Sequence, residues 1–168
     1  MFYISRGFTL IELLVVIFII GMIVAAATIT LGDNQGKRLE QKSQQLAALI
    51  DLAKEQAIFN SEEFGVVFTR TSYSFYHLDS ENQEETSWIP VTDDNLLRER
   101  ALPEGLEFEL FLEGIKVTYA QDDDVKPQVY ILSDGSITPF YVNITDKIDH
   151  TYRLKIAENG ALEFAAVN

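Results

Sequence analysis

Glu12 is the residue of this sequence whose chemistry most clearly requires a partner. It is the only charged residue between Phe8 and Leu31, in a segment that is otherwise almost entirely apolar. An unpaired carboxylate in such surroundings costs about 2.5–3.5 kcal/mol at the centre of a bilayer. Arg6 does not compensate it, because only residues three or four apart lie side by side on a helix. We therefore expect the compensating cation to come from another chain.

Other side chains that could do chemistry form no recognisable site. His77 and His150 stand apart from any nucleophile or ligand set, and we interpret both as structural or solvated. Asp122, Asp123 and Asp124 could offer oxygen ligands to calcium, but their spacing is not that of a calcium loop, and a solvated turn is the favoured interpretation. The acidic pairs at residues 84–85 and 93–94 are interpreted as exposed loops. The glycosylation sequon at residues 143–145 is given no weight.

Standard catalytic and nucleotide-binding patterns are also missing from the sequence. There is no Gly-x-Ser-x-Gly, GxGxxG or P-loop pattern, and there is no cysteine. The lack of cysteine excludes disulfides, zinc knuckles and thiol nucleophiles. We therefore predict no catalytic, cofactor-binding or metal-ligating residue, and no enzymatic activity.

The charge balance argues against a nucleic-acid partner. The 168 residues hold 13 Lys and Arg against 26 Asp and Glu, a net charge of −13. Phosphate binding requires a basic face, which this composition does not supply.

The elements that would position Glu12 begin with the apolar segment of residues 8–31. As a helix it is long enough to cross a hydrocarbon core of about 30 Å, so we predict a transmembrane helix. A buried core helix would show a polar face, and none is present between Leu13 and Ile23. A secretory signal peptide with a cleavage site near residues 25–27 would have a shorter apolar run. A plain membrane anchor leaves Glu12 unexplained.

The rest of the chain predicts an α+β fold. Apolar residues at helical spacing predict an amphipathic continuation of the helix over residues 32–60. Period-two patterns then predict strands at residues 64–69, 72–78, 86–91, 106–112, 115–119, 128–132, 136–144, 152–157 and 161–167. We expect the long amino-terminal helix to pack on an antiparallel β-sheet or β-sandwich domain formed by residues 61–168.

Residues 5–17, Ser-Arg-Gly-Phe-Thr-Leu-Ile-Glu-Leu-Leu-Val-Val-Ile, resemble the class III signal of type IV pilins and type II secretion pseudopilins. The resemblance implies that residues 1–7 are a leader, which a prepilin peptidase removes between Gly7 and Phe8. It also implies N-methylation of Phe8. Cleavage would create an α-amino group four residues from Glu12, and Glu12 of one subunit could then pair with the Phe8 amine of its neighbour.

The carboxy-terminal half is similar to the GspH/FimT-type domain of minor pseudopilins. The residues that carry this similarity are Leu-Pro-Glu-Gly at 102–105, the segment 131–139 with its Asp-Gly-Ser-Ile-Thr-Pro turn, and residues 156–161. The resemblance implies a minor pseudopilin of a type II secretion system, held in the inner membrane by one helix with its carboxy-terminal domain in the periplasm. The implied partners are major and minor pseudopilins, the prepilin peptidase and methyltransferase, the inner-membrane secretion platform and the secreted substrate.

Two alternatives stay open at this point. A minor type IV pilin for adhesion, motility or DNA uptake would carry the same amino-terminal signal, although a DNA-binding member should show a basic patch. A membrane-anchored periplasmic enzyme would need a clustered active site. Basic residues around the helix do not favour a cytoplasmic amino terminus, so the orientation follows from the resemblance alone.

Overall fold

The computed structural model describes residues 9–79, 87–92, 95–119, 126–146, 150–157 and 159–167, and for residues 25–35 it describes the backbone alone. The predicted loops at residues 84–85, 93–94 and 122–124 lie outside the described residues. The chain divides into two compact units, Met1–Lys37 and Arg38–Asn168.

A single long helix, α1, runs over Leu10–Asn60. From residue 39 onward it buries one apolar face, which is the arrangement expected from the helical spacing of its apolar residues. The helix ends where Ser61 adopts a left-handed backbone conformation (φ 57°) and Glu62 N–H donates to the Ala57 carbonyl at 3.1 Å. That bond satisfies a carbonyl of the last turn that has no partner within the helix. The buried face consists of Leu39, Ser43, Leu46, Ala47, Leu49, Ile50, Ala53 and Ala57.

The strands form two five-stranded antiparallel sheets. The first has the order β3-β2-β1-β7, with β4 pairing beside β3 on β2. The second has the order β10-β9-β8-β5-β6. The first sheet comprises β1 (Phe64–Phe68), β2 (Ser72–Asp79), β3 (Ser87–Pro90), β4 (Arg100–Ala101) and β7 (Val129–Ile131). The second comprises β5 (Leu106–Leu112), β6 (Ile115–Lys116), β8 (Phe140–Asp146), β9 (Thr151–Ile156) and β10 (Leu162–Val167).

The core of residues 38–168 is one cluster of buried side chains drawn from α1 and from both sheets. Phe68 of β1 joins the sheets, because its ring lies 5.7 Å from Phe108 of β5 and 6.0 Å from Phe140 of β8. Tyr73 packs edge-on against Phe108 at 5.8 Å. Burial raises the pKa of Tyr73 to about 12, while the positive charge of Arg100 acts in the opposite direction. The predicted α+β class is therefore confirmed, with two sheets sharing the helix.

Several predicted strands need correction at their ends. The strand at residues 106–112 has the predicted bounds. The predicted strand 115–119 stops at Lys116, because the chain leaves the sheet and places the Tyr119 hydroxyl against the backbone of β5. The predicted strand 136–144 begins only at Phe140, since the residues before it turn back beside β7 through a bridge between Ile131 and Ile137. The two-residue β4 was not predicted.

Gly65 on β1 is required by a close approach of other side chains. An added Cβ would overlap the ring of Pro127 and lie 3.1 Å from Cζ3 of Trp88. Both of these rings cover the outer side of the first sheet at this point, so there is no room for even one methyl group.

We predict that Gly65→Ala lowers the free energy of unfolding of the domain by about 1–3 kcal/mol. The ring of Pro127 is closed onto its own backbone nitrogen, so it cannot rotate away from an added methyl group. The measurement is thermal unfolding of the full chain in detergent, followed by circular dichroism. Gly36→Ala is the matched control: an added Cβ there meets nothing within 4 Å, and alanine favours the helix. Equal melting temperatures for Gly65→Ala and wild type would contradict the prediction.

Candidate functional site

The amino-terminal end of α1 is organised around Thr9. Its carbonyl accepts hydrogen bonds from the N–H groups of Glu12 (3.1 Å) and Leu13 (3.3 Å), and its hydroxyl oxygen accepts a further bond from Glu12 N–H at 3.3 Å. Thr9 therefore caps the helix, and the Thr-x-x-Glu spacing is that of a capping box. The Thr-x-x-Glu pattern is present in the sequence, although no helix cap was predicted from it. Gly7 and Phe8 lie outside the described residues.

The electrostatics of this helix end favour a carboxylate. Glu12 lies in the first turn, where the unpaired N–H groups create a partial positive charge. Such a position stabilises an acidic side chain by about 0.3–1 kcal/mol when it is exposed. Glu12 is exposed. The carboxylate that the sequence singled out is thus compatible with its own helix and remains accessible to another molecule.

Apart from Glu12, the surface of α1 from Leu10 to Val24 is apolar on every side. Large hydrophobic side chains from Leu10 to Val24 are exposed, from 82% for Leu10 down to 43% for Val16. Since successive helical residues are rotated by about 100°, these positions cover the whole circumference of the helix. A surface of this kind is stable only when lipid or other apolar helices cover it. The exposed residues are Leu10, Ile11, Leu13, Leu14, Val15, Val16, Ile17, Phe18, Ile19, Ile20, Met22, Ile23 and Val24.

No helix within the described part of the chain is long and apolar enough to cross a membrane. The transmembrane segment at residues 8–31 therefore stays a prediction.

The two histidines have separate surroundings in the structure. His150 Nδ1 lies 3.0 Å from Oδ2 of Asp146, and its backbone N–H donates to Oδ1 of the same carboxylate at 3.0 Å. Asp146 ends β8 and its side chain is only 4% exposed, so the pair fastens the β8–β9 hairpin. His77 is half-buried on β2, opposite Phe64 of β1 and Ile89 of β3. The structure does not bring the two histidines together, and it gives His150 a hairpin-fastening contact that the sequence analysis missed.

The sequon residue Asn143 is buried on β8 and is already engaged. Its Oδ1 accepts a hydrogen bond from Arg153 Nε at 2.9 Å. The Arg153 guanidinium also lies 4.5 Å from the ring centre of Tyr141, which stacks on Phe111. These contacts hold the outer face of the second sheet together and leave Asn143 inaccessible to modification in the folded domain.

Two family descriptions match this chain, in separate parts. Residues 4–28 match the prokaryotic N-terminal methylation motif. Residues 42–160, most of the second unit, match the family described as type II transport protein GspH. The first match contains the Gly7–Phe8 junction and Glu12, and the second contains both sheets except β10.

The chain is also similar to characterised secretion proteins along most of its length. It is 29% identical over 165 residues to type II secretion system protein H of Pseudomonas aeruginosa, covering 93% of this chain and 92% of that protein. The structure of the minor pseudopilin EpsH from the type 2 secretion system of Vibrio cholerae superposes with a TM-score of 0.65 at 25% identity, covering 77% of this chain and 96% of that one. The solution structure of Escherichia coli GspH, at 21% identity and a TM-score of 0.62, shares the fold. Together with an apolar helix that carries Glu12 in its first turn and is followed in sequence by the two-sheet domain, these matches show that the chain belongs to the GspH family of type II transport proteins.

Proposed function

We propose that this chain, whose family gives it the function of a minor pseudopilin in type II secretion, acts as an inner-membrane subunit that is cut after Gly7, methylated at Phe8 and assembled through Glu12. The observation that carries the proposal is the presence of the methylation motif and the GspH domain on one chain, in that order. The family is a structural one, and its match favours secretion over the pilus alternative.

The proposed anchor is the apolar segment of residues 8–31. Its support is the sequence, which has one charge in the whole segment, and the exposed apolar surface of α1 from Leu10 to Val24. Lipid would cover this surface before assembly, and the helices of neighbouring subunits would cover it afterwards. The domain after residue 60, which carries the two sheets, would lie in the periplasm.

The proposed assembly contact pairs two charges that are each costly alone. Removal of residues 1–7 would leave an ammonium group at Phe8, next to a helix end that already carries partial positive charge. The Glu12 carboxylate of a neighbouring subunit would neutralise that ammonium, and opposite charges attract strongly where water is excluded. Because the pair joins fixed positions on two helices, it would also set their relative height.

We predict that Gly7→Val blocks maturation, since a β-branched side chain would stand where the peptidase accepts a residue with none. Intact-mass measurement of the membrane-extracted chain should show, for wild type, loss of residues 1–7 and the addition of one methyl group. The variant should retain Met1. A wild-type chain that keeps its leader while the peptidase is present would refute the proposed processing.

We predict that Glu12→Gln is inserted and cut normally but loses at least about tenfold in cross-linking to neighbouring pseudopilins, since a charged hydrogen bond contributes about 1.5–3 kcal/mol. Secretion should fall with it. Glutamine keeps the size of glutamate and can still complete the capping box, so only the charge is removed. Glu12→Leu should show the same defect.

Thr9→Ala is the control that separates charge pairing from helix capping. It removes the hydroxyl that accepts from Glu12 N–H and leaves the carboxylate intact. If Glu12 acts by pairing, Thr9→Ala should cross-link like wild type. Equal defects in Thr9→Ala and Glu12→Gln would mean that the helix cap, and not the charge, is what assembly needs.

A further inference from the structure

The free edge of β10 differs from every other sheet edge in the described residues. The edge strands of the first sheet are short: β3 has four residues and ends in Pro90, and β4 has two. The three-residue β7 is covered by its own hairpin, because Thr138 N–H donates to the Tyr130 carbonyl and Leu132 N–H donates to the Ser136 carbonyl, both at 2.9 Å. Short, proline-containing or covered edges are the usual protection against unwanted pairing.

The opposite edge of the second sheet is protected by side chains. Its last strand, β6, has two residues and carries Lys116, which pairs with Glu109 of β5 and lowers the pKa of that carboxyl. Beyond the end of β6, the Tyr119 hydroxyl makes the hydrogen bonds that a neighbouring strand would make to β5. It donates to the Phe108 carbonyl at 3.0 Å and accepts from Leu110 N–H at 3.1 Å. The backbone of β5 is therefore paired without a full neighbouring strand.

β10 has none of these protections. It is six residues long, contains no proline, lysine or arginine, and among the described strands pairs with β9 alone. In an antiparallel ladder, pairs of residues that are hydrogen-bonded to each other alternate with pairs that are not. The bond from Ala157 N–H to the Ala161 carbonyl shows which pairs of β9 and β10 are the hydrogen-bonded ones. By that alternation, the backbone groups of Glu163 and Ala165 face β9, and those of Leu162, Phe164 and Ala166 face away from the sheet.

The side chains of β10 are also suited to a neighbouring strand. Its one charge, Glu163, is held 3.0 Å from Lys155 Nζ within the sheet, so it does not repel an incoming chain. Ala165 and Ala166 are small and exposed, and Phe164 is 41% exposed although it points to the same side as the buried Leu154. An added strand would extend the apolar inner face of the sheet past Phe164.

We propose that the edge of β10 binds an extended segment of a different subunit of the secretion apparatus, which adds a sixth strand to the second sheet. The inference rests on the proposed function, because it takes the partner from the assembled pseudopilus. Unpaired N–H and C=O groups along one line recognise an extended backbone, and this mode of binding is well suited to protein assemblies. The partner segment is uncharged or basic, with small or apolar residues facing β10.

A second copy of the chain is disfavoured by charge. Each chain carries a net charge of −13, so two copies aligned edge to edge would repel each other. A less acidic subunit would bind the same edge without that repulsion.

Residue-resolved hydrogen exchange on the full wild-type chain tests the proposal. The amides of Leu162, Phe164 and Ala166 should exchange at least about tenfold more slowly when the chain is isolated with the other subunits than when it is extracted alone. The amides of Glu163 and Ala165, already bonded to β9, are internal controls and should be slow in both samples. Equal rates for the three outward amides in the two samples would overturn the proposal.

A cross-linking experiment identifies the partner. A photoreactive side chain at Ala165 should couple to one extended segment of another subunit, mapped by mass spectrometry. Ala166→Pro, which removes an outward N–H but no bond to β9, should abolish the product, while Ala166→Ser, which keeps that N–H, should not. Coupling between two copies of this chain, or a product that survives Ala166→Pro in a chain that still folds, would overturn the proposal.

The two proposals fail in different ways. If the proposed function is wrong, the chain keeps residues 1–7 and does not co-purify with the other subunits. If only the edge interaction is wrong, the chain is cut and co-purifies, but the outward amides of β10 stay unprotected. The exchange comparison uses wild type, so it decides the question even if Ala166→Pro does not fold.

Discussion

The helix α1 has an exposed apolar part and a part that packs in the core of the domain, and the rest of the structure depends on this difference. Its first part, from Leu10 to Val24, is exposed and, apart from Glu12, apolar on all sides, so other molecules must cover it. From Leu39 to Ala57 it carries a single buried stripe, which the domain itself covers. Each sheet has one apolar face and needs a partner for it. The stripe of α1 and the opposing sheet supply that partner, with Ala47, Ala53 and Ala57 keeping the packed surface of the helix shallow.

The helix and the long strands were predictable because each follows a simple period. The strand at residues 106–112 alternates as far as Leu110, and its buried residues Phe108 and Leu110 are those that the alternation selects. What could not be predicted depends on contacts far along the chain or on very short elements. Tyr119 continues an alternating pattern, yet it leaves the strand because its hydroxyl satisfies the backbone of β5. β4 has only two residues, too few to show any period.

The candidate site also has residues that the sequence pattern predicts and a feature that it did not predict. Gly7, Phe8 and Glu12 were recognisable because their positions relative to the apolar segment form a fixed pattern, which the methylation-motif match over residues 4–28 contains. The cap at Thr9 was not predicted, because a lone charge in an apolar segment indicates the need for a cation more strongly than it indicates the start of a helix. At the helix end the carboxylate has a favourable field of its own, so the cost that argued for a partner is smaller there than in mid-bilayer. The pairing hypothesis therefore depends on the charge of Phe8 as much as on that of Glu12.

Glu12 in α1 and the edge of β10 have one property in common, which is expected of a subunit that binds neighbours in an assembly. An interaction made only between subunits would leave a group without a partner in the isolated chain. Within the described residues there are two such features: an exposed carboxylate in the first turn of an apolar helix, and a line of backbone groups on β10 that face no neighbouring strand. Under the proposed pairing, the first is a point charge and would fix the height of one helix against another. The second is a directional row of donors and acceptors and would fix the orientation of the chain that we propose binds along it. A subunit that must be held in both position and rotation needs both kinds of contact, because a single ion pair leaves rotation about the helix free.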